Sequence, residues 1–117
     1  MYSLAEKGKT LDTHIKDVLL RCRDAVNSDY PNAQIILYGS LARGEAGPYS
    51  DIDLLVLLKE KVSSQQKRHI HDLLYDIAIA EDVVISVIIK DTERWNLPVS
   101  KATPLYHNIQ KEGIKVA

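Results

Sequence analysis

The sequence predicts an α/β (α+β) fold: a small mixed β-sheet with helices packed on it, forming a single domain over residues 1–117. Three observations predict it. Three short apolar runs, residues 34–38, 52–58 and 83–89, have strand length and lie between turn-forming residues. Two longer segments, before the first run and between the second and third, repeat apolar residues at helical spacing. At 117 residues, 45% of them apolar, the chain is long enough to bury a real core.

The elements follow in order. Leu11, Ile15, Val18, Leu19, Cys22, Ala25 and Val26 form one face of a helix over residues 10–28, which Asn27 to Pro31 would stop. Residues 34–38 form the first strand, bounded by Gly39, and residues 41–45 suit a short helical turn. The run at 52–58 is apolar on both faces, as expected in the centre of a sheet covered by helices. Ser63 or Ser64 can cap a helix reaching about Ala80, with Ile70, Leu73, Leu74 and Ile77 inward. Residues 83–89 are rich in β-branched side chains and form the third strand. A last helix starts at Pro104 behind the cap Thr103 and ends before Gly113.

Composition excludes several function classes. The formal net charge is −1 with Lys and Arg scattered, which argues against a strong nucleic-acid surface. The single Cys22 permits no internal disulfide and suits a reducing compartment. The first residues lack a signal-peptide core, and no apolar stretch approaches the ~20 residues that span a bilayer. The expectation is a cytoplasmic protein without membrane contact.

Chemistry concentrates between residues 39 and 53. Gly39 and Ser40 follow one strand, and Asp51 and Asp53 open the next. Alternation along a strand puts both carboxylates on one face, roughly 7 Å apart. Beside an apolar run, two such carboxylates are costly unless a cation joins them, and Mg²⁺ is typically held by one or two carboxylates plus substrate phosphates. Gly39, lacking a Cβ, lets phosphate oxygens approach the backbone. Ser40 adds a donor, and the amides beyond it could form an anion-binding turn or helix N-terminus. Arg43 is the nearest fixed positive charge; it could neutralise a phosphate or steady Asp51. Gly47 and Pro48 would return the loop to the sheet. A P-loop is excluded, because Glu45 and Ala46 stand where Lys and Ser or Thr are required.

The segments from Tyr38-Gly39-Ser40 to Gly44 and from Ser50-Asp51 to Val56 resemble the minimal nucleotidyltransferases of the DNA polymerase β-like superfamily. A weaker resemblance runs on to residues 104–113, which look like that family's terminal helix. The resemblance implies transfer of a nucleoside monophosphate from a nucleoside triphosphate, often ATP, to a hydroxyl, with Mg²⁺ (or Mn²⁺). By position it implies that Asp51 and Asp53 ligate metal and act in catalysis, while Gly39 and Ser40 bind the triphosphate, with Arg43, Ser50 and Ser86 as the other candidate nucleotide contacts. It further implies a partner: either a helical HEPN-domain protein, with this chain as the antitoxin, or a second copy.

One position departs from the pattern. Active members place a third carboxylate on the next long strand, and Ser86 stands there instead. Its hydroxyl could bond to backbone or contact a phosphate or metal, but a serine is no base near neutral pH without help. The alternative function is therefore a catalytically impaired nucleotide- or partner-binding module of the same fold. Asp82 is a weak substitute, being about 13 Å from Ser86 along a strand. Glu81 and Asp91 read as solvated strand ends, and Cys22 as core. His69 and His71 do not share a helical face, so they suggest no zinc site. Trp95 is expected to pack against the sheet, with a partner contact as the alternative. Lys59, Lys61, Lys67 and Arg68 read as a solvated face, although Lys59 could approach the phosphates.

Overall fold

The structure, a computed structural model, describes residues 1–45 and 51–117. In chain order the elements are β1 (Tyr2–Ser3), α1 (Leu4–Lys7), a 3-10 turn (Gly8–Thr10), α2 (Thr13–Asp29), β2 (Gln34–Tyr38), α3 (Ser40–Arg43) and β3 (Ile52–Leu58). They continue with α4 (Ser64–Glu81), β4 (Ile85–Asp91), α5 (Thr92–Trp95), α6 (Pro98–Lys101), α7 (Pro104–Glu112) and β5 (Ile114–Lys115). The strands make one mixed sheet in the order β1-β5-β2-β3-β4. The small mixed sheet and its helices are therefore as expected.

Helix boundaries follow the caps. Asp12 accepts the His14 amide at 3.3 Å, so α2 starts at Thr13 rather than residue 10, and Leu11 is buried just outside it. Ser63 and Gln66 form a reciprocal capping box on α4. Thr103 caps α7, with Pro104 in its first turn.

The third long strand starts at Ile85, two residues later than the β-branched run suggests. α4 must close first: Asp82 takes a left-handed conformation (φ 55°) as its C-cap, and the Val83 amide donates back to the Ala78 carbonyl at 3.0 Å. Asp82 thus belongs to a helix end, and its supposed strand alignment with Ser86 is corrected. The two-residue strands β1 and β5, paired parallel with each other, are too short for any period to announce them.

The sheet has two unlike faces. On one, Val18, Leu19, Cys22 and Val26 of α2 with Ile70 and Leu74 of α4 pack on alternate residues of β2 and β3, including Leu37, Leu54 and Val56. On the other, Trp95 and Ile109 pack on Ile36, Leu55 and Leu57, with Tyr38, Ile88, Leu105 and Tyr106 half-buried beside them. The Trp95 ring lies 5.0 Å from that of Tyr106, so this tryptophan is core, as expected. No helix among the described residues is long and apolar enough to cross a membrane.

Candidate functional site

Strand register builds the site. β2 and β3 run antiparallel with Tyr38 opposite Asp53; β3 and β4 run parallel with Asp53 opposite Ser86. Alternation places this row on the second face, in line with Ile36, Leu55 and Ile88. Three strands thus bring Tyr38, Asp53 and Ser86 side by side. The position expected to hold the third carboxylate is level with Asp53, and it is an exposed serine.

Gly39 closes the row at its end. Its φ of +80° is a conformation that other residues rarely adopt. A Cβ there would also collide with Oδ2 of Asp53 and lie 3.3 Å from its Cγ. The glycine therefore serves the carboxylate as much as the turn. Beyond it, α3 is a single turn: the Arg43 amide donates to the Gly39 carbonyl at 3.1 Å and the Glu45 amide to the Ser40 carbonyl at 3.0 Å. Gly44, at φ +73°, ends it.

The electrostatics match the crowding. Burial, then the charge of Asp51, hold the Asp53 carboxyl above the usual aspartate range, while Arg43 pulls it back. Burial, then the Asp53 charge, push the Tyr38 phenol up. Among the described residues, neither Asp51 nor Asp53, nor the hydroxyls of Ser40 and Ser86, has a side-chain hydrogen-bond partner. The backbone-bonded reading of Ser86 therefore finds no support.

A cation fits this donor set. Asp53 carries a carboxyl that burial and the neighbouring Asp51 charge hold above the usual range, and neither group has a partner among the described residues; one divalent ion between them would offset that penalty. No group of three or more His, Cys, Asp and Glu gathers among the described residues, so an ion here would complete its shell from elsewhere, as Mg²⁺ does with phosphates and water.

Most of the expected residues converge. Gly39, Asp53 and Ser86 touch or pair, exposed Asp51 immediately precedes β3, and Ser40 opens α3. Arg43 is placed differently from one of its expected roles. Its Nε donates to Glu45 at 2.9 Å and its Nη1 to Glu112 at 3.4 Å, and it makes no salt bridge to Asp51. These carboxylates, Glu45 first, raise its already high pKa. Ser50, Gly47 and Pro48 lie outside the described residues.

The remaining candidates sit elsewhere. Lys59 follows β3 at the end opposite Asp53 and lines a small cleft with Asp29, Tyr30 and Glu60, away from any phosphate at Gly39. Asp91 is buried rather than solvated: it caps α5 through the Arg94 amide at 2.7 Å, and that bond holds its carboxyl below the usual range. Glu81 ends α4 and pairs with Arg21 and His14. His69 meets Asp29 at 2.5 Å. Burial pushes the Cys22 thiol up to about 12, so it is core and no nucleophile.

Two neighbours were not singled out from the sequence: Tyr38 as the partner of Asp53, and Glu112 as a ligand of Arg43. Tyr38 adjoins the Gly-Ser pair, but its pairing depends on a register set across the 13 residues between β2 and β3. Glu112 lies 69 residues from Arg43, and no local pattern marks it.

Comparison with known proteins agrees with this fold. Residues 19–116 match the family described as "Nucleotidyltransferase domain". A relative from Methanocaldococcus jannaschii, "Putative protein adenylyltransferase MJ1305", is 32% identical over 99 residues, 83% of this chain; the chain spans 65% of that relative's length. A second from the same organism, "Putative protein adenylyltransferase MJ0141", is 33% identical over 86 residues, 74% of each chain. Among solved structures, a chain of a toxin-antitoxin crystal structure with AMP-PNP superposes with a TM-score of 0.57 at 21% identity, covering 84% of this chain and 72% of that one. A chain of the toxin-antitoxin MntA-HepT gives 0.54 at 18% identity, covering 86% and 69%. The structural likeness carries the fold and the sequence match the family: this chain belongs to the nucleotidyltransferase family.

Proposed function

We propose that this chain transfers a nucleoside monophosphate, with ATP as donor, to a hydroxyl of a protein or small-molecule acceptor. We further propose that it acts as the antitoxin of a pair with a helical HEPN-domain protein. The observation that carries the first reading is the packing of the Asp53 carboxylate against Gly39, which joins a metal-binding group to a phosphate-binding turn. Relatives described as protein adenylyltransferases support a protein acceptor, and the structural likeness to toxin-antitoxin chains supports the partner.

In this reading Asp51 and Asp53 hold Mg²⁺ or Mn²⁺, which when bound would neutralise charge developing on the α-phosphate. Gly39 and Ser40 orient the triphosphate, with Arg43 and Ser50 as further nucleotide contacts. The acceptor oxygen bonds to the α-phosphorus, the bond to the β-phosphate oxygen breaks, and pyrophosphate leaves. The hydroxyl proton passes to a carboxylate of the pair or to water.

The test is transfer of α-phosphate label from ATP, with Mg²⁺ or Mn²⁺, into a co-purified partner or host lysate. Label that needs both Asp51 and Asp53 supports the reading; its absence despite metal-dependent ATP binding refutes transfer.

Ser86 opposite Asp53 favours one second reading, a nucleotide- or partner-binding module without efficient chemistry. Ser86→Asp separates the two: a rise in transfer would mean that the serine limits turnover.

A further inference from the structure

We propose that Glu112 is a positioning residue for nucleotide binding: it holds the Arg43 guanidinium in place at the end of α3, ready for the triphosphate. The inference rests on the nucleotide site proposed above and adds a residue from the far end of the chain.

The guanidinium is held from two directions. Glu45 takes its Nε–H at 2.9 Å and Glu112 takes an Nη1–H at 3.4 Å. A guanidinium carries five N–H donors, so three remain for a phosphate. A long arginine side chain loses much rotamer freedom when it is fixed on a ligand. Fixing it beforehand moves that cost out of the binding step.

Glu112 suits the task because its backbone is locked to β2, the strand that leads into Gly39. A Cβ on the next residue, Gly113, would lie 2.5 Å from the Ile109 carbonyl oxygen and 2.9 Å from Cγ2 of Ile36. The residue after that, Ile114, is fully buried and pairs with Leu37. The Glu112 side chain is only 22% exposed, against 41% for Arg43. The better-anchored carboxylate therefore fixes the freer guanidinium.

The opposite role predicts the opposite sign. If Glu112 only offset the charge of Arg43, its removal would make the turn more positive and tighten ATP binding. Positioning predicts weaker binding.

The experiment is titration of Mg²⁺ and ATP into the full chain, read as an affinity and independent of turnover. Glu112→Ala is expected to weaken binding about threefold to tenfold. Glu112→Gln, which keeps an acceptor without the charge, should restore most of it. In an Arg43→Ala background Glu112→Ala should add nothing. Glu112→Met, similar in length and apolar, gives the same reading if the alanine variant does not fold. Unchanged or tighter binding in Glu112→Ala, or an equal loss without Arg43, overturns the inference alone. Failure of the unaltered chain to bind Mg²⁺ and ATP overturns the nucleotide site and this inference together.

Discussion

The two faces of the sheet are built from the same strands and treat alternate residues differently. On the face under α2 and α4, every β2 and β3 side chain is apolar and buried, from Ile35 and Leu37 to Leu54, Val56 and Leu58. On the other face Ile36, Leu55 and Leu57 are covered by Trp95 and Ile109, but the cover thins at Tyr38, Asp53 and Ser86. One face thus answers only to packing. The other gives up packing at one end, where it carries a carboxylate whose charged form is penalised. A group held against its own stability makes this end of the sheet the candidate site, since perturbed carboxylates cluster where proteins do chemistry.

Asp53→Asn gives the sharpest break between the faces. It should lower transfer by about a hundredfold to a thousandfold, the scale of several kcal/mol of lost charge stabilisation. The same variant, free of metal at neutral pH, should melt at a higher temperature than the unaltered chain. An activity loss accompanied by a lower melting temperature would mean that Asp53 is structural. Leu54→Ala, one residue along and on the closed face, should cost about 2–5 kcal/mol of stability in denaturant titration. Its folded fraction should keep its ATP affinity. Gly39→Ala comes next, with ~1–2 kcal/mol from the left-handed backbone and a further loss from the Asp53 contact. Its ATP affinity should fall, and Asp53→Ala in the same chain should recover part of the stability.

Much of the closed face was legible in the sequence. Leu11, Val18, Leu19, Cys22, Val26, Ile70 and Leu74 follow helical spacing, and all are buried. The Gly-Ser and Asp-x-Asp residues were legible because a turn followed by a strand constrains them locally. What escaped were features set by distant pairing. Val83 carries strand propensity but is needed to close α4, and the β1–β5 pair is two residues long. Asp91 looked like a solvated strand end because the helix it caps, Thr92–Trp95, is only one turn and has no period to read. Glu112 reaches Arg43 only because α7 and β5 return the chain to β2.

The smallest expected effect contrasts Asp53 with Asp91. Asp53 has a folded pKa above its unfolded value near 3.8, so the folded chain binds the proton more tightly. Its ionisation therefore weakens the fold, and the penalty is complete at neutral pH. As pH falls through the raised folded value towards 3.8 the penalty disappears. Asp91 is shifted the other way by the Arg94 amide. Its contribution is complete above 3.8 and is lost as pH falls from there through its lowered folded value. In metal-free melting scans from pH 7 to pH 3, the advantage of Asp53→Asn should shrink on acidification and close near 3.8. Asp91→Asn should cost little, since asparagine also caps helices, and its deficit should persist to about pH 4 and narrow only below that. If both variants followed the same pH course, the difference between the site carboxylate and the capping carboxylate would not be electrostatic. Added Mg²⁺ sharpens the contrast, because it should stabilise the unaltered chain and Asp91→Asn while leaving Asp53→Asn nearly unmoved.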